Sequence, residues 1–282
     1  MDRMMPIRSC IRQSIEEEVR MTASPFSPLY DLVTGGTRGA GRETVLALVR
    51  AGRPGVMFLY RQKEGRAQEL VKEAREINPD IDIVAIKCDI TDSSQITQIV
   101  AELNARKAYL SSLFLVASGG LERGMSEDYP MLMNKDAQLA VVNACWKLFA
   151  FGARVIYDTS HWAHRFGEVE QLPDYEPIAS SKNAGERSLL KLIPTLERLD
   201  QRNVKFVIVT GDMLVDSMVV RLMERKSPGI ISARLKAAGV EELPTYLTFG
   251  QKNVDVLLDQ DIRNGDVIVV GGALETLTPL QA

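Results

Sequence analysis

Residues 34–41 read TGGTRGAG and lie between an apolar run, Leu29 to Val33, and a helical pattern. A strand, a glycine-rich turn and a helix in this order are typical of the first unit of a dinucleotide-binding fold. In such a unit Gly35 would permit the tight turn, Gly39 would let the backbone approach a pyrophosphate, and Gly41 would let the helix pack closely on the strand. Free N–H groups and the positive dipole end of the helix favour an anion there. The stretch therefore predicts a nucleotide site.

The composition is that of a soluble globular protein long enough for one large α/β domain, because 45% of the 282 residues are hydrophobic and 25% are charged. The formal net charge of −3 gives no electrostatic reason to expect nucleic acid or an anionic membrane as a partner. The three cysteines have no metal-ligand spacing and fit a reducing compartment. No apolar run approaches the roughly 18 to 20 residues that cross a bilayer. A cytoplasmic location is predicted.

Residues 1–28 are interpreted as an N-terminal extension of a single domain that covers 29–282. Several arginines in the extension are compatible with a transit peptide, but the consecutive glutamates at 16–18 argue against one. One short helix is predicted near Cys10 to Met21, ending before two prolines.

Apolar runs alternate with helical patterns along the domain. Strands are predicted at 29–33, 56–60, 82–87, 113–117, 154–159, 205–209 and 266–270, and helices at 42–51, 65–77, 93–103, 134–151 and 185–199. Because short turns join these elements in alternation, the chain is predicted to form a Rossmann-type α/β fold. In that fold a doubly wound parallel sheet lies between two layers of helices.

Two arginines indicate which coenzyme the site takes. The second predicted strand ends at Arg61, where an NAD-preferring site usually carries an acidic residue that accepts from the ribose 2′-hydroxyl. A guanidinium there pairs instead with a 2′-phosphate, and Arg38 in the glycine turn can supply a second contact to the same phosphate. Both arginines could also be solvated surface charges. Two arginines at independent points of one expected pocket favour NADP(H).

The ends of the third and fourth predicted strands add contacts for the coenzyme. Asp89 can accept a hydrogen bond from the adenine amino group, or it can begin the turn toward Asp92, the predicted N-cap of the helix 93–103. Gly119 and Gly120 form a small-residue turn that would pass under the ribose.

The order of these features resembles the NADP-preferring members of the short-chain dehydrogenase/reductase superfamily, over about residues 29 to 275. The resemblance rests on the glycine turn at 34–41, the strand-end Arg61, the pair Cys88-Asp89 and the pair Gly119-Gly120. It implies an NADP(H) coenzyme held in part by the glycine turn with its Thr37, a small-molecule substrate, and a homodimer or homotetramer.

Enzymes of that superfamily use an Asn, a Ser, a Tyr and a Lys, with the last two spaced as Y-x-x-x-K. Here Asn134 precedes Ser160 by 26 residues, near the family separation, and Lys182 lies in a run that resembles the active-site helix. Four positions before Lys182 stands Ile178, so the usual proton donor is absent. Tyr175, three residues earlier, could reach into the site from the preceding loop or could be an ordinary surface tyrosine.

A site without that tyrosine can reduce a substrate that is already cationic, such as an iminium ion, because no proton is then needed on the heteroatom. Asp158 and Ser160 are two residues apart on a predicted strand, so their side chains are expected to share a face at its carboxyl end. Asp158 could hold a cation or move a proton beside the nicotinamide, and Trp162 could form an aromatic wall of the substrate pocket. Alternatively, Asp158 caps the following turn and Trp162 is a lid or core residue.

The loop after the fourth strand carries Arg123, which could reach Asp158 or an amide oxygen of the substrate, or could be a solvated loop arginine. His161 and His164 closely follow the predicted catalytic serine and could act as acid or base. No third ligand accompanies them, so no metal site is predicted.

The combination of Ile178, Asp158, Trp162 and Arg123 resembles, more narrowly, the fungal bifunctional reductase/Diels–Alderases of malbrancheamide and paraherquamide biosynthesis. This resemblance implies NADPH-dependent reduction of a prenylated indole diketopiperazine-like zwitterion, followed by an intramolecular Diels–Alder cyclisation to a bridged alkaloid. Asp158 would then serve the iminium and its proton transfers, Arg123 would orient the substrate, and Lys182 would hold the nicotinamide ribose.

The last third of the chain is predicted to complete the site. Gly211 lies where the superfamily's proline-glycine turn meets the nicotinamide, although threonine replaces the proline. Met213 begins a series of methionines and leucines at near-helical spacing, which predicts either a substrate lid near 212–245 or an ordinary packed segment. Met213 is assigned to the substrate pocket. The final strand with Gly271-Gly272 resembles the strand that commonly joins subunits.

Three functions remain open. The first is an NADPH-dependent iminium reductase that also directs the cyclisation, with Asp158 as its central group. The second is a conventional NADPH-dependent carbonyl reductase with Tyr175 as a displaced acid. The third is a non-catalytic NADP-binding scaffold.

Overall fold

The computed structural model describes residues 27–120, 124–172 and 174–280, and its strands form one parallel sheet in the order β3-β2-β1-β4-β5-β6-β7. The strands are β1 (Leu29–Val33), β2 (Gly55–Tyr60), β3 (Asp82–Lys87), β4 (Tyr109–Leu115), β5 (Phe149–Ser160), β6 (Lys205–Gly211) and β7 (Val267–Val270). The chain is a single Rossmann-like α/β domain, as the alternating pattern predicted.

Helices cover both faces of the sheet. They are α1 (Gly39–Arg50), α2 (Glu64–Ile77), α3 (Ser93–Ala105), α4 (Tyr129–Met131), α5 (Ala137–Cys145), α6 (His161–His164), α7 (Glu176–Asp200), α8 (Met218–Lys226), α9 (Ile230–Ala238) and α10 (Tyr246–Leu258). One buried core joins the sheet to α1, α2 and α10, and the other joins it to α3, α5 and α7. The prediction of three layers is confirmed.

The predicted helix 134–151 is wrong at both ends. The chain is already helical from Tyr129, makes a π-helical turn over Leu132–Asp136, and has left the helix by Phe149. Phe149 instead begins β5 and pairs with Leu110 of β4. A short apolar run looks alike in a buried helix and in a buried strand, so this boundary depends on pairing with a distant strand.

Helix α7 begins at Glu176, well before the predicted start at Gly185. Pro177 suits the first turn, because its missing N–H would have no helical partner there. Gly185 lies inside the helix, where an added Cβ would stand 2.2 Å from the carbonyl oxygen of Asn134. The glycine therefore marks a close helix contact and not a helix end, and Lys182 lies within α7.

Residues 212–245 contain α8 and α9 and pack in a third apolar cluster together with Trp162, Tyr175 and Ile178. The role of this segment as a substrate lid stays a prediction. The helix predicted near Cys10 to Met21 lies outside the described residues. Among the helices of the described ranges, none combines the length and the apolar character needed to cross a bilayer.

Candidate functional site

The glycine turn follows β1 at the point where the strand order reverses, so it opens into the crevice at the carboxyl ends of β1 and β4. Gly35 has a φ of +66°, and a Cβ added there would lie 3.0 Å from Cα of Ala117. A Cβ on Gly41 would lie 2.4 Å from the carbonyl oxygen of Gly35, so no larger residue allows α1 to approach the turn this closely. The turn has the shape predicted for it, and its contact with a coenzyme stays a prediction.

The amino end of α1 is suited to an anion. Its N-cap residue, Arg38, makes no side-chain capping hydrogen bond, and no acidic residue occupies the first turn. The first N–H groups and the positive dipole end are therefore not neutralised by the helix's own side chains. The ring of Tyr246, from α10, lies 3.0 Å from the place that a Cβ on Gly39 would take, a contact that the sequence did not reveal.

The side chain of Thr34 links the ends of β1 and β4 by hydrogen bonds at the same crevice. Its Oγ1 accepts from the backbone N–H groups of Val116 at 2.9 Å and Ala117 at 3.0 Å, and donates to the carbonyl oxygen of Phe114 at 3.2 Å. These bonds turn the chain away from the sheet, so β4 ends at Leu115 and not at residue 117 as predicted. A threonine between a strand and the first glycine was the available signal for this role.

The two arginines assigned to the coenzyme phosphate lie at the same edge of the sheet. Arg38 is exposed at the start of α1. Arg61 directly follows β2, and its Nη1 donates to the hydroxyl of Tyr129 at 2.7 Å. Tyr129 lies 68 residues further along the chain, so sequence spacing could not connect the two.

Asp89 begins a turn, as the second interpretation of the sequence proposed. Its Oδ1 accepts from the backbone N–H of Thr91 at 3.0 Å and from the Thr91 hydroxyl at 2.7 Å. Asp92 caps α3 by accepting from the backbone N–H of Ser94, as predicted. A contact between Asp89 and adenine stays a prediction.

Asn134 joins the turn after β4 to the helix that carries Lys182. It is 1% exposed and lies in the π-helical turn. Its Oδ1 accepts from the N–H of Gly119 at 3.1 Å, and its Nδ2 donates to the Gly119 carbonyl and to Ser181 Oγ, each at 2.9 Å. Its backbone carbonyl accepts from the Tyr157 hydroxyl at 3.1 Å. The predicted site asparagine is thus a buried junction between two elements of the site.

A phenol reaches the end of β5 although the superfamily's tyrosine position holds Ile178, which is buried against Gly120. The hydroxyl of Tyr175 donates to Ser160 Oγ at 3.0 Å, and Tyr175 is only 9% exposed, so the surface interpretation of this residue is wrong. Ser160 Oγ also accepts from the N–H of Ala163 at 3.2 Å as the N-cap of α6. Burial raises the pKa of Tyr175, and the bond to Ser160 opposes that rise.

Lys182 of α7 contacts Asp158 near the carboxyl end of β5. Lys182 Nζ donates to the backbone carbonyl of Asp158 at 3.2 Å, while the Asp158 carboxylate accepts from Asn253 Nδ2 of α10 at 2.9 Å. Burial raises the pKa of Asp158 and lowers the pKa of Lys182, and their mutual attraction opposes both shifts. The residue that caps the next turn is Ser160, so the alternative capping role of Asp158 is wrong.

The expected shared face of Asp158 and Ser160 is only partly realised. The Asp158 carboxylate meets α10, whereas the Ser160 hydroxyl meets Tyr175 in front of α7. The side chains diverge because the chain leaves the strand at Ser160 and starts α6. Strict alternation of side chains applies only while the strand continues.

Trp162 lies on α6 and is packed against α9. It is 6% exposed, and the guanidinium carbon of Arg234 lies 5.4 Å from its ring centre. Arg234 makes a two-pronged ion pair with Asp212, with nitrogen–oxygen distances of 2.8 to 3.0 Å. Met213 is also buried, and its N–H donates to the Asp212 carboxylate. The substrate contacts of Trp162 and Met213 stay predictions, and the sequence did not identify the ion pair.

The histidines are used within the fold. His161 is 0% exposed; one ring nitrogen contacts Thr210 Oγ1 at 3.0 Å and the other the carbonyl of Gly272 at 2.8 Å. Burial lowers the pKa of His161, which keeps the ring neutral. Both nitrogens are engaged, which leaves none for a substrate, so the acid or base role is wrong for His161. His164 Nδ1 pairs with Glu186 at 2.9 Å.

Two further residues, Gly211 and Arg123, were predicted to belong to the site. Gly211 ends β6, and a Cβ there would lie 2.5 Å from the ring of Phe249 in α10. Arg123 lies outside the described residues, so its contact with Asp158 or a substrate stays a prediction.

Comparison with known proteins agrees with this geometry. A family model described as short chain dehydrogenase matches residues 31–146. A tetrahydroxynaphthalene reductase, PfmaG of Pestalotiopsis fici, is 26% identical over 170 residues, 57% of this chain and 58% of that protein. A trihydroxynaphthalene reductase of the same fungus, PfmaI, is 29% identical over 161 residues, 55% of each chain. A short chain dehydrogenase/reductase of Colletotrichum higginsianum, dpchH, is 32% identical over 94 residues, 32% of this chain and 22% of that protein. The chain therefore spans between 22% and 58% of the length of these relatives.

Solved structures share the fold over nearly the whole chain. A short chain dehydrogenase from Burkholderia cenocepacia, described as in complex with NADP, has a TM-score of 0.66 and 20% identity over 88% of this chain and 98% of that one. A short-chain type dehydrogenase/reductase from Mycobacterium ulcerans has a TM-score of 0.74 and 18% identity over 90% and 92%. The chain is therefore similar to short-chain dehydrogenases over residues 31–146, and it shares the fold of the solved structures over most of its length.

Proposed function

We propose that the protein is an NADP(H)-dependent reductase that acts on the carbonyl group of a small organic substrate. The observation that carries this proposal is the 3.0 Å hydrogen bond from the Tyr175 hydroxyl to Ser160 Oγ. It supplies a proton donor at the end of β5 although the superfamily's tyrosine position holds Ile178. The geometry therefore favours the second function predicted from the sequence over the first.

The residues at the crevice fit NADP(H). Gly35 and Gly41 let the turn pack closely against α1, and the uncapped amino end of α1 favours the charge of a pyrophosphate. Arg38 and Arg61 would pair with a 2′-phosphate, and Thr37, within the glycine turn, would contact the coenzyme. The related Burkholderia cenocepacia structure is described as an NADP complex, which supports the same coenzyme here. The bound coenzyme would supply the hydride from its nicotinamide.

The chain's own residues would hold and move the proton. Ser160 Oγ already accepts two hydrogen bonds, from Tyr175 and from the N–H of Ala163. A hydroxyl has two acceptor lone pairs, so the Ser160 proton is free to donate to a substrate oxygen. As that oxygen gains negative charge, Ser160 would release its proton and take one from Tyr175 along the existing bond. Lys182 would hold the nicotinamide ribose.

The relatives favour one substrate class to test first. Two of them are named as reductases of tetrahydroxynaphthalene and trihydroxynaphthalene. We therefore propose a hydroxylated fused-ring ketone as the substrate of this chain. A homodimer or homotetramer is proposed from the superfamily resemblance alone.

A second candidate is the reductase of a prenylated-indole iminium zwitterion that also directs a Diels–Alder cyclisation. Two observations favour it: Ile178 is buried where the superfamily has its acid, and the Asp158 carboxyl is buried close enough to Lys182 for their charges to interact. Such a substrate would need the negative charge of Asp158 and no proton from Tyr175.

The substitution Tyr175→Phe distinguishes the two candidates. With a bicyclic hydroxyketone, we expect turnover to fall by on the order of a hundredfold or more, because general acid catalysis contributes about that much. With a cyclic iminium salt the same variant should be unaffected. NADPH oxidation measures the turnover, and a fluorescence titration should give an unchanged Kd for NADPH.

Tyr109→Phe is the matched control, because it removes a phenol at the amino end of β4, at the opposite edge of the sheet. It should leave ketone turnover unchanged. Wild-type ketone turnover in Tyr175→Phe would refute the proposed function.

A further inference from the structure

A buried carboxyl and a buried amide face each other between β5, α1 and α10. Asp158 is 5% exposed and Asn253 is 0% exposed. Asn253 Nδ2 donates to Asp158 Oδ2 at 2.9 Å and to Thr44 Oγ1 at 3.0 Å. Within the described part of the chain, Asp158 Oδ1 and Asn253 Oδ1 are both buried and have no hydrogen-bond partner. Two acceptor oxygens thus lie in the same small region without a donor.

Thr44 fixes the orientation of the amide. Its hydroxyl donates its single proton to the carbonyl of Ala40 at 2.8 Å, so its oxygen can only accept from Asn253. The amino group of Asn253 must therefore face Thr44, and its two protons serve Thr44 and Asp158. The amide oxygen cannot exchange places with the amino group.

One proton would satisfy both oxygens. A buried acceptor without a donor destabilises the folded state, and an ionised one does so more strongly. A neutral carboxyl is a donor as well as an acceptor. Protonated on Oδ1, Asp158 would donate to the Asn253 amide oxygen while its Oδ2 still accepts from Nδ2. An ionised Asp158 would instead leave two oxygen acceptors unpaired.

The groups that face Asp158 do not oppose a neutral form. From α10 and α1 it meets the uncharged Asn253 and Thr44, and on β6 its neighbour in the sheet is Val209. Lys182 of α7 interacts with its charge, but the ammonium donates to the backbone carbonyl of Asp158 and makes no ion pair with the carboxylate among the described residues. Tyr157, next to it on β5, has its pKa raised by burial and stays neutral. Burial likewise raises the pKa of Asp158.

We infer that Asp158 is a neutral carboxylic acid at neutral pH and donates its proton to the amide oxygen of Asn253. Asn253 acts by positioning this carboxyl group. The pair stores one proton beside Lys182 without supplying a negative charge. This inference does not rest on the proposed function. It bears on the second candidate, because a neutral Asp158 would not compensate an iminium cation.

The pH dependence of stability tests the protonation state. A carboxyl whose pKa is raised in the folded state binds a proton that the unfolded chain releases, so its contribution to stability is full below the unfolded value of about 3.9 and is lost as the pH rises through the folded-state pKa. Asp158→Asn keeps a donor toward the Asn253 oxygen at every pH. We therefore expect the stability of Asp158→Asn relative to wild type, measured as the urea midpoint, to increase as the pH rises from about 4 to the folded-state pKa of Asp158, and then to level off. A difference that is constant with pH, or a variant less stable at every pH, would overturn the inference.

Infrared spectroscopy of the wild-type protein provides a second measurement that does not depend on how the variant folds. At neutral pH we expect the carbonyl stretch of a neutral carboxyl, which Asp158→Asn abolishes and Asn253→Leu moves to higher frequency by removing its hydrogen bonds. Asp31→Asn is the control: Asp31 is also fully buried, but it pairs with Arg53 at 2.6 Å and should contribute no such band. Absence of the band from wild type would refute the pair.

Discussion

The two halves of the sheet build their parts of the site by different means. Around β1 to β4 the site is made of main chain: the positive φ of Gly35, the closely packed Gly41 and the uncapped amino end of α1. Around β5 to β7 it is made of side chains that meet across long stretches of sequence, such as Asp158 with Asn253. A main-chain site is encoded by local glycine spacing, whereas a side-chain site depends on tertiary packing. The first half is therefore more open to prediction from a motif than the second.

The largest effect is expected from a substitution around β5 to β7, where the site is made of side chains. Arg234→Met would leave the Asp212 carboxylate, which is 0% exposed, buried without its counter-ion. Removing one partner of a buried ion pair costs about 3–5 kcal/mol, so we expect the free energy of unfolding in urea to fall by about that much.

Lys226→Met is the matched control for that substitution. Lys226 pairs with Asp174, and the two side chains are 56% and 61% exposed. Loss of such a surface pair should cost less than about 1 kcal/mol. Equal effects of the two substitutions would mean that the buried pair does not hold α9 in place.

An intermediate effect is expected in the main-chain half. In Gly41→Ala the new Cβ would meet the carbonyl oxygen of Gly35 at 2.4 Å and push α1 from the turn. Overpacking of this kind costs about 1–3 kcal/mol. The Kd for NADPH, measured by fluorescence titration, should rise about tenfold, equivalent to about 1.4 kcal/mol.

The control is Gly65→Ala on α2, where no atom lies within 4 Å of the added Cβ. Replacing an exposed helical glycine should leave NADPH binding unchanged and increase stability by up to about 1 kcal/mol. Tight NADPH binding by Gly41→Ala would separate the glycine turn from the coenzyme.

The smallest expected effect concerns the choice between NADPH and NADH. It tests whether a side chain also contributes to the half of the site around β1 to β4, which is otherwise built from main chain. Arg61→Ala should lower the preference for NADPH over NADH, measured as the ratio of kcat/KM values, by about tenfold, since a hydrogen bond to a charged group contributes about 1.5–3 kcal/mol. Tyr129→Phe keeps the positive charge of Arg61 and removes the hydroxyl that accepts a hydrogen bond from its guanidinium. We expect a loss of about threefold there, and an unchanged ratio in both variants would place the 2′-phosphate elsewhere.

The fold could be predicted because the hydrophobic periodicity of the sequence indicates which segments form strands and which form helices. Alternating apolar runs and glycine turns gave the order of strands and helices, and Asp92 marked the start of α3. The sequence failed where an element depends on a distant partner. Phe149 becomes a strand residue because it pairs with Leu110. Gly185 lies inside a helix because its lack of a side chain serves the close contact with the carbonyl of Asn134 and does not end the helix.

The site divides in the same way. Its residues could be found wherever a motif fixed their positions, as for Gly35, Gly41 and Lys182 in the sequence. The absence of tyrosine at position 178 was also visible, and Tyr175 could be named as a candidate replacement. Its orientation could not be predicted, because the turn between Ser160 and Tyr175 decides where the phenol points. No spacing rule connects those residues, and only the folded chain brings them together.

The most direct test of the account is a crystal structure with NADP⁺ and a ketone product analogue. The account predicts that the hydroxyls of Ser160 and Tyr175 stand in series at the analogue's oxygen, beside the nicotinamide, with the Asp158 carboxyl turned to Asn253. A structure in which Asp158 faces the nicotinamide and the Tyr175 hydroxyl has left Ser160 would contradict it.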